Sequence, residues 1–242
     1  VIIMTATRKL VQQLQEFPTP AVADAASYLG YSPGYANSSL RCMTPGLPVM
    51  VGEAVTIKVC STNPAGSGNM DMFWDMLAMM SRSDVPKVCV IEAVEHDNRA
   101  GAVCGDGMAK IFLTVGCIGL LSSGAIRDVA GITAQGFKLF GSGSAAFHDP
   151  YEWSGLGEPV TIGGMKVRTG DLIHADSDGC IVVPAVSFDR IVPATRLLID
   201  FEKKVHLIHR REDLGFDDKK EHATRMVAAL ERDISDCGDR DY

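Results

Sequence analysis

Residues 105–128 read GDGMAKIFLTVGCIGLLSSGAIRD, and this stretch decides the fold. Gly105 opens a helix predicted over Asp106–Val115. The apolar run Ile118–Leu121 follows as a strand, ended by Gly124 and the charged pair Arg127-Asp128. Upstream, Ala54–Val59 and Val88–Ala93 read as strands, with a helix over Asn69–Met80 between them. Asn69 is its expected cap, and Met70, Phe73, Trp74, Leu77 and Met80 recur at helical spacing. Strand, helix, strand, helix, strand is the pattern of parallel α/β units. Ligands meet such sheets at the C-terminal ends of the strands, the edge where Asp106, Arg127 and Asp128 fall. The N–H groups of Gly107 and Met108 should point outward there, unpaired in the first helical turn.

Outward from this centre, Thr5–Glu16 predicts an amphipathic helix that Pro18 and Pro20 break. Thr19 is expected to cap a second helix through Leu29, ended by Gly30, and Tyr31–Pro48 reads as loop. After Arg127 come short strands: Gly136–Phe140, Val160–Ile162, Met165–Val167, Leu172–His174 and Cys180–Val183. Gly163-Gly164 marks a tight hairpin. This reads as a β-rich half packed on the α/β half within one compact body, residues 1–200. From Ser187 the pattern is helical, with a break near Gly215. Residues 201–242 form a charged helical tail in which 20 of 42 residues are ionisable Asp, Glu, Lys or Arg.

Composition excludes several classes. A net charge of −7 over 242 residues argues against a dedicated nucleic-acid binder. No apolar run approaches the roughly 20 residues of a membrane span, and Val1–Met4 is too short for a signal-peptide core. The seven scattered cysteines read as reduced thiols of a cytoplasmic protein. Gly141-Ser-Gly143-Ser-Ala-Ala146 matches a dinucleotide fingerprint, but Pro150 follows where a helix should begin. Ala65–Asn69 lacks the Lys-Ser/Thr of a phosphate loop and reads as a flexible connection. His206 and His209 are spaced for a metal, yet Arg210 and Arg211 follow and no further ligand is near, so a solvated face is expected. No G-x-S-x-G elbow supports a serine triad. An isolated Arg-Asp pair is by itself most often a surface ion pair.

The twenty residues between Asp106 and Arg127 give Asp-x20-Arg-Asp, which resembles the signature of the RraA-like family. Thr19-Pro-Ala-Val-Ala-Asp24-Ala resembles its N-terminal helix, and Gly163–Pro184 its β-rich block. Thr169 and Cys180 depart from its usual residues, and Ala145–Gly155 is insertion-like. The resemblance implies a single α/β domain of swivelling β/β/α architecture with the helical tail attached. It also implies a class II pyruvate aldolase of the 4-hydroxy-4-methyl-2-oxoglutarate/4-carboxy-4-hydroxy-2-oxoadipate type, with oxaloacetate decarboxylase side activity.

By the same resemblance Asp128 ligates Mg²⁺ or Mn²⁺, and Arg127 grips the pyruvyl carboxylate and the developing enolate oxygen. The Gly105, Asp106, Gly107 and Met108 loop cradles that group through backbone N–H. Asp106 handles the water that removes the C4 hydroxyl proton. A small oxo-acid is then the substrate, with no nucleic-acid or membrane partner, and the expected assembly is a homotrimer or homohexamer. Family enzymes take an acidic residue from a neighbouring subunit; Glu202 is the candidate by position. The rival reading is a non-catalytic regulator that binds a ribonuclease, a class expected to lack the Asp-x20-Arg-Asp set. A methyltransferase activity finds no S-adenosylmethionine loop.

Overall fold

The structure, a computed structural model, describes residues 5–61, 70–94, 101–148 and 150–237. The Asn69 cap, the Ala65–Asn69 loop and the Val1–Met4 segment lie outside the described residues.

Two helices open the chain, α1 (Arg8–Leu14) and α2 (Thr19–Tyr28), followed by the two-residue strands β1 (Gly34–Tyr35) and β2 (Arg41–Cys42). The α/β units are β3 (Met50–Ser61), α3 (Met70–Met80), β4 (Lys87–Val94), β5 (Ala102–Cys104), α4 (Asp106–Thr114) and β6 (Cys117–Ser122). Next come β7 (Ala125–Ile126), α5 (Val129–Ala134), β8 (Lys138–Gly141) and β9 (Tyr151–Ser154). The hairpin of β10 (Val160–Ile162) and β11 (Met165–Val167), then β12 (Leu172–Ala175) and β13 (Cys180–Val183), lead to α6 (Ile191–His209) and α7 (Phe216–Asp236).

The main sheet runs β1-β13-β12-β3-β4-β6-β8-β2, with β9 also on β3. Its centre, β3-β4-β6-β8, is parallel, as the sequence pattern predicts. β3 is twelve residues long and serves two antiparallel partners on one edge: β12 over Met50–Glu53 and β9 over Lys58–Ser61. The predicted β-rich half therefore shares its main sheet with the α/β half. β12 and β9 join the sheet on β3, which is long enough for both, while β13 joins through β12 and β8 through β6. At Gly163 and Gly164 both φ angles are positive (53° and 77°), the backbone that a two-residue hairpin requires.

Helices cover both sides. Phe73, Met76, Met80 and Phe112 from α3 and α4 pack on Ile57, Ile91 and Leu120. A second cluster joins Leu10 and Leu14 of α1 and Val22 of α2 to Leu198 of α6 and Leu230 and Ile234 of α7. The tail thus folds back on its own body. Arg190 fastens its end, with Nη2 donating to the carbonyls of Ile234 (2.9 Å) and Ser235 (3.0 Å). α6 runs unbroken through residue 200, so the charged region begins inside a helix and not at a boundary.

Thr19 does not cap α2. Pro18 occupies that position, and Thr19 is the first helical residue. Its N–H donates to Asp176 Oδ2 (2.6 Å), and its hydroxyl lies 2.9 Å from Nδ1 of the fully buried His174. His174 Nε2 is 3.0 Å from the Leu14 carbonyl, which fixes Nε2 as the donor and Nδ1 as the acceptor from Thr19. Burial lowers the His174 pKa and keeps the ring neutral.

Candidate active site

β5 and β7 form a separate two-stranded parallel ribbon, with Ala102 opposite Ala125 and Cys104 opposite Ile126. The ribbon delivers the two ends of the Asp-x20-Arg-Asp spacing to one place. Directly beyond it the Arg127 N–H donates to the Cys104 carbonyl (3.0 Å), so Gly105 and Arg127 leave the ribbon side by side. Behind β7 lies the glycine segment 141–146. Ile126 N–H donates to the Gly143 carbonyl (2.9 Å) and Ala145 N–H to the Ile126 carbonyl (3.0 Å). A Cβ on Gly141 would meet Ile126 Cγ1 at 2.6 Å. Gly141 permits close packing on Ile126, and β9 follows where a nucleotide site would need a helix.

Gly105 is the extended residue before α4. A Cβ there would meet Asp128 Oδ2 at 2.7 Å and Arg127 Nε at 3.0 Å, so only glycine leaves room for both side chains. Asp128 has φ 55°, the sole left-handed non-glycine among the described residues. That conformation is tolerated best by Asn and Asp and turns the chain from β7 into α5. Asp128 Oδ2 lies 3.4 Å from Arg127 Nε and accepts the Asp106 N–H at 3.4 Å. Both charged side chains are partly open, 38% exposed for Arg127 and 44% for Asp128. Gln135 ties α5 to α4, its Nε2 donating to the carbonyls of Gly131 (3.0 Å) and Asp106 (3.5 Å).

The structure brings Gly105, Gly107, Met108 and Arg127 to one cavity of about 300 Å³, with Asp128 beside Arg127. Asp106 is divided. Its N–H meets Asp128, but its carboxylate turns to Lys110 Nζ (2.8 Å) one helical turn on. The Lys110 hydrogen bond and charge hold the Asp106 carboxyl below the usual Asp value. Sequence reasoning missed Lys110, although the i, i+4 spacing on a predicted helix signals it. It also missed the far wall: Met70, His148, Pro150, Tyr151 and Trp153. Most of that wall comes from the insertion-like Ala145–Gly155, whose aromatic residues between glycines were the available signal.

Cys104 also lines the cavity, but burial pushes its thiol up to about 12, so it is no nucleophile. His206 and His209 gather no metal set; among the described residues no three His, Cys, Asp or Glu side chains are grouped for one. No helix of the described residues is long and apolar enough to cross a membrane.

The family description RraA-like (Aldolase/RraA) matches residues 19–182. A Halalkalibacterium halodurans protein named "Putative 4-hydroxy-4-methyl-2-oxoglutarate aldolase" is 31% identical over 182 residues, covering 72% of this chain and 76% of that one. Among solved structures, an uncharacterized Pseudomonas syringae protein aligns over 92% of this chain and 97% of its own, with TM-score 0.70 and 21% identity. Streptomyces coelicolor RraAS2, described as an unusual member of the RNase ES inhibitor RraA family, aligns over 86% and 98% with TM-score 0.67 and 22% identity. These last two bear on fold alone, and they agree with the sheet and helices described above. With the family description matched over residues 19–182, more than half of the chain, the chain belongs to the RraA-like family.

Proposed function

We propose that the protein is a divalent-metal-dependent pyruvate aldolase that cleaves 4-hydroxy-2-oxo acids, with oxaloacetate decarboxylation as a second activity of the same site. The observation that carries this reading is the convergence of Arg127, Asp128 and the first turn of α4 over Gly105 at the mouth of one cavity. Aldolase names among the relatives support it.

Asp128 and Asp106 offer hard carboxylate oxygens, and Asp128 is half-exposed with only long contacts to protein donors. That donor set suits Mg²⁺ or Mn²⁺ retaining waters and substrate oxygens, and not a closed zinc cage. Asp128 would hold the ion, which when bound supplies Lewis-acid stabilisation of negative charge on the substrate's 2-oxo oxygen. Arg127 pairs with the substrate carboxylate and remains charged at any working pH. The N–H groups at the start of α4 face the same anion, with the helix dipole in the favourable sense.

Cleavage requires loss of the C4 hydroxyl proton. Asp106, held ionised by Lys110, orients the water that accepts it, and its low pKa suits an orienting role better than direct proton storage. Support for a homotrimer or homohexamer comes from the large apolar side chains left exposed, among them Tyr35, Trp74 and Phe216. Glu202, on α6, is the residue a neighbour would donate. The reading places the protein in the cytoplasm.

The test is a coupled pyruvate assay with a panel of 4-hydroxy-2-oxo acids and oxaloacetate, with Mg²⁺ or Mn²⁺ and with chelator. Turnover should vanish with chelator and in Arg127→Lys. Full activity of that variant would remove Arg127 from the site, and capture of a ribonuclease without oxo-acid turnover would favour the regulator class instead.

A further inference from the structure

The cavity beside Arg127 has two kinds of lining. Arg127 and the backbone of Gly105 and Gly107 supply polar groups on one side of it. The rest of the lining is mostly carbon, from Met70, Met108, Pro150, Tyr151 and Trp153, with the His148 ring among them. Tyr151 commits its hydroxyl to the Gly101 carbonyl (2.5 Å). Trp153 is buried and packs on Phe73 with ring centroids 5.3 Å apart, which makes the wall stiff. His148 enters with its ring stacked on Phe147. Among the described lining residues Arg127 is the one permanent charge.

One guanidinium matches one carboxylate, and the 2-oxo acid's own carboxylate uses it. A second carboxylate against that lining would be stripped of water by thioether and indole, with no permanent cation besides Arg127 among the described lining residues. We propose that this apolar wall selects an uncharged hydrocarbon group on C4. The substrates are then 4-hydroxy-2-oxo monocarboxylic acids carrying an alkyl or aryl substituent, distinct from the dicarboxylic type in the relatives' names. The proposal rests on the pyruvate-aldolase reading and specifies its acceptor half. The step is redox-neutral. The C3–C4 bond breaks, its electron pair stays on C3 as pyruvate enolate, and the C4 hydroxyl gives up its proton to become an aldehyde or ketone carbonyl. C3 then takes a proton to give pyruvate. A cavity of about 300 Å³ accommodates a pyruvyl unit with a substituent of phenyl size.

The test is calorimetric binding of unreactive 2-oxo acids to the whole chain with Mg²⁺: 2-oxobutanoate, 2-oxohexanoate, 2-oxo-4-phenylbutanoate and 2-oxoglutarate. Affinity should rise roughly fourfold per buried methylene. The phenyl compound should bind at least about tenfold tighter than 2-oxoglutarate, the factor left by two or so buried methylenes. Met70 is exposed at the rim, so Met70→Arg should fold and shift the ratio toward 2-oxoglutarate. Equal or tighter binding of 2-oxoglutarate by the unaltered chain overturns the proposal, as does an unchanged ratio in a Met70→Arg protein that melts normally. Deuterium exchange into the methyl group of pyruvate reads the enolate end alone. Exchange together with failure of the apolar series refutes this proposal and leaves the aldolase reading standing; absence of exchange refutes the aldolase reading itself.

Discussion

Gly105→Ala isolates the contribution of geometry at the site. The added methyl would sit 2.7 Å from Asp128 Oδ2 and 3.0 Å from Arg127 Nε, where ordinary contact begins at 3.4 Å. Asp128 must retreat by about 0.7 Å, the gap between those distances. Because Gly105 is extended, alanine adopts its backbone without strain, and the displaced atoms are ends of side chains that open to solvent. The stability cost should stay under about 1 kcal/mol, or a melting shift of no more than about 4 °C for a chain of this size. Catalysis is less forgiving, since a displacement near 1 Å costs on the order of a hundredfold. Oxaloacetate decarboxylation and thermal melting of Gly105→Ala should therefore part company, with kcat/KM down about a hundredfold at nearly unchanged Tm. Gly46→Ala, with nothing within 4 Å of its Cβ and no positive φ, is the control that should move neither. A Gly105→Ala enzyme with unaltered kcat/KM would refute the claim that Arg127 and Asp128 are held in register by this contact.

The remaining expectations concern charge and packing. His174 is buried neutral with its pKa lowered from 6.5, so the unfolded chain binds a proton that the native one resists. Stability is full above pH 6.5 and falls as pH drops through the lowered native value, by at most about 1.4 kcal/mol per pH unit from this group. Urea midpoints between pH 5 and 7.5 measure it, and a slope unchanged in His174→Gln would contradict it. Lys110→Met removes the partner that lowers Asp106, so the acid limb of the pH–rate profile should move to higher pH; an unmoved limb would detach Asp106 from that limb. Leu230→Ala should cost about 2–5 kcal/mol in urea unfolding, because Leu230 is buried where α7 meets the body. A loss below about 0.5 kcal/mol, the range of exposed substitutions, would mean that α7 is not part of the core.

The parallel centre was legible because its signals are local: apolar runs at Val88–Ala93 and Ile118–Leu121, with glycines at 105 and 116 between them and at 124 just after. The spacing from Asp106 to Arg127 was equally local, spanning one helix and the two strands β6 and β7. What escaped was set by partners far along the chain. β5 and β7 are three and two residues long and gain their identity only from each other. Thr19 looks like a cap by type, yet His174 and Asp176, more than 150 residues away, claim its hydroxyl and N–H. The Asp106 carboxylate faced Lys110 for a local reason that was readable and was not read. The aromatic wall needed β3 to extend to Ser61, where Tyr151 and Trp153 could pair beside it.

The cluster that joins α1 and α2 to α6 and α7 sets a timetable for synthesis. Leu10 and Leu14 leave the ribosome about 220 residues before Leu230 and Ile234, the side chains that share their core. At roughly 5–20 residues per second, the first two helices wait on the order of 10–40 s for α7 to complete the cluster that Val51, Leu172 and Leu198 join earlier. Over that interval the parallel centre can assemble from its own neighbours, while the layer that joins α1 and α2 to α7 closes after it. Until it does, the part of that cluster which α7 covers is open to chaperones and proteases.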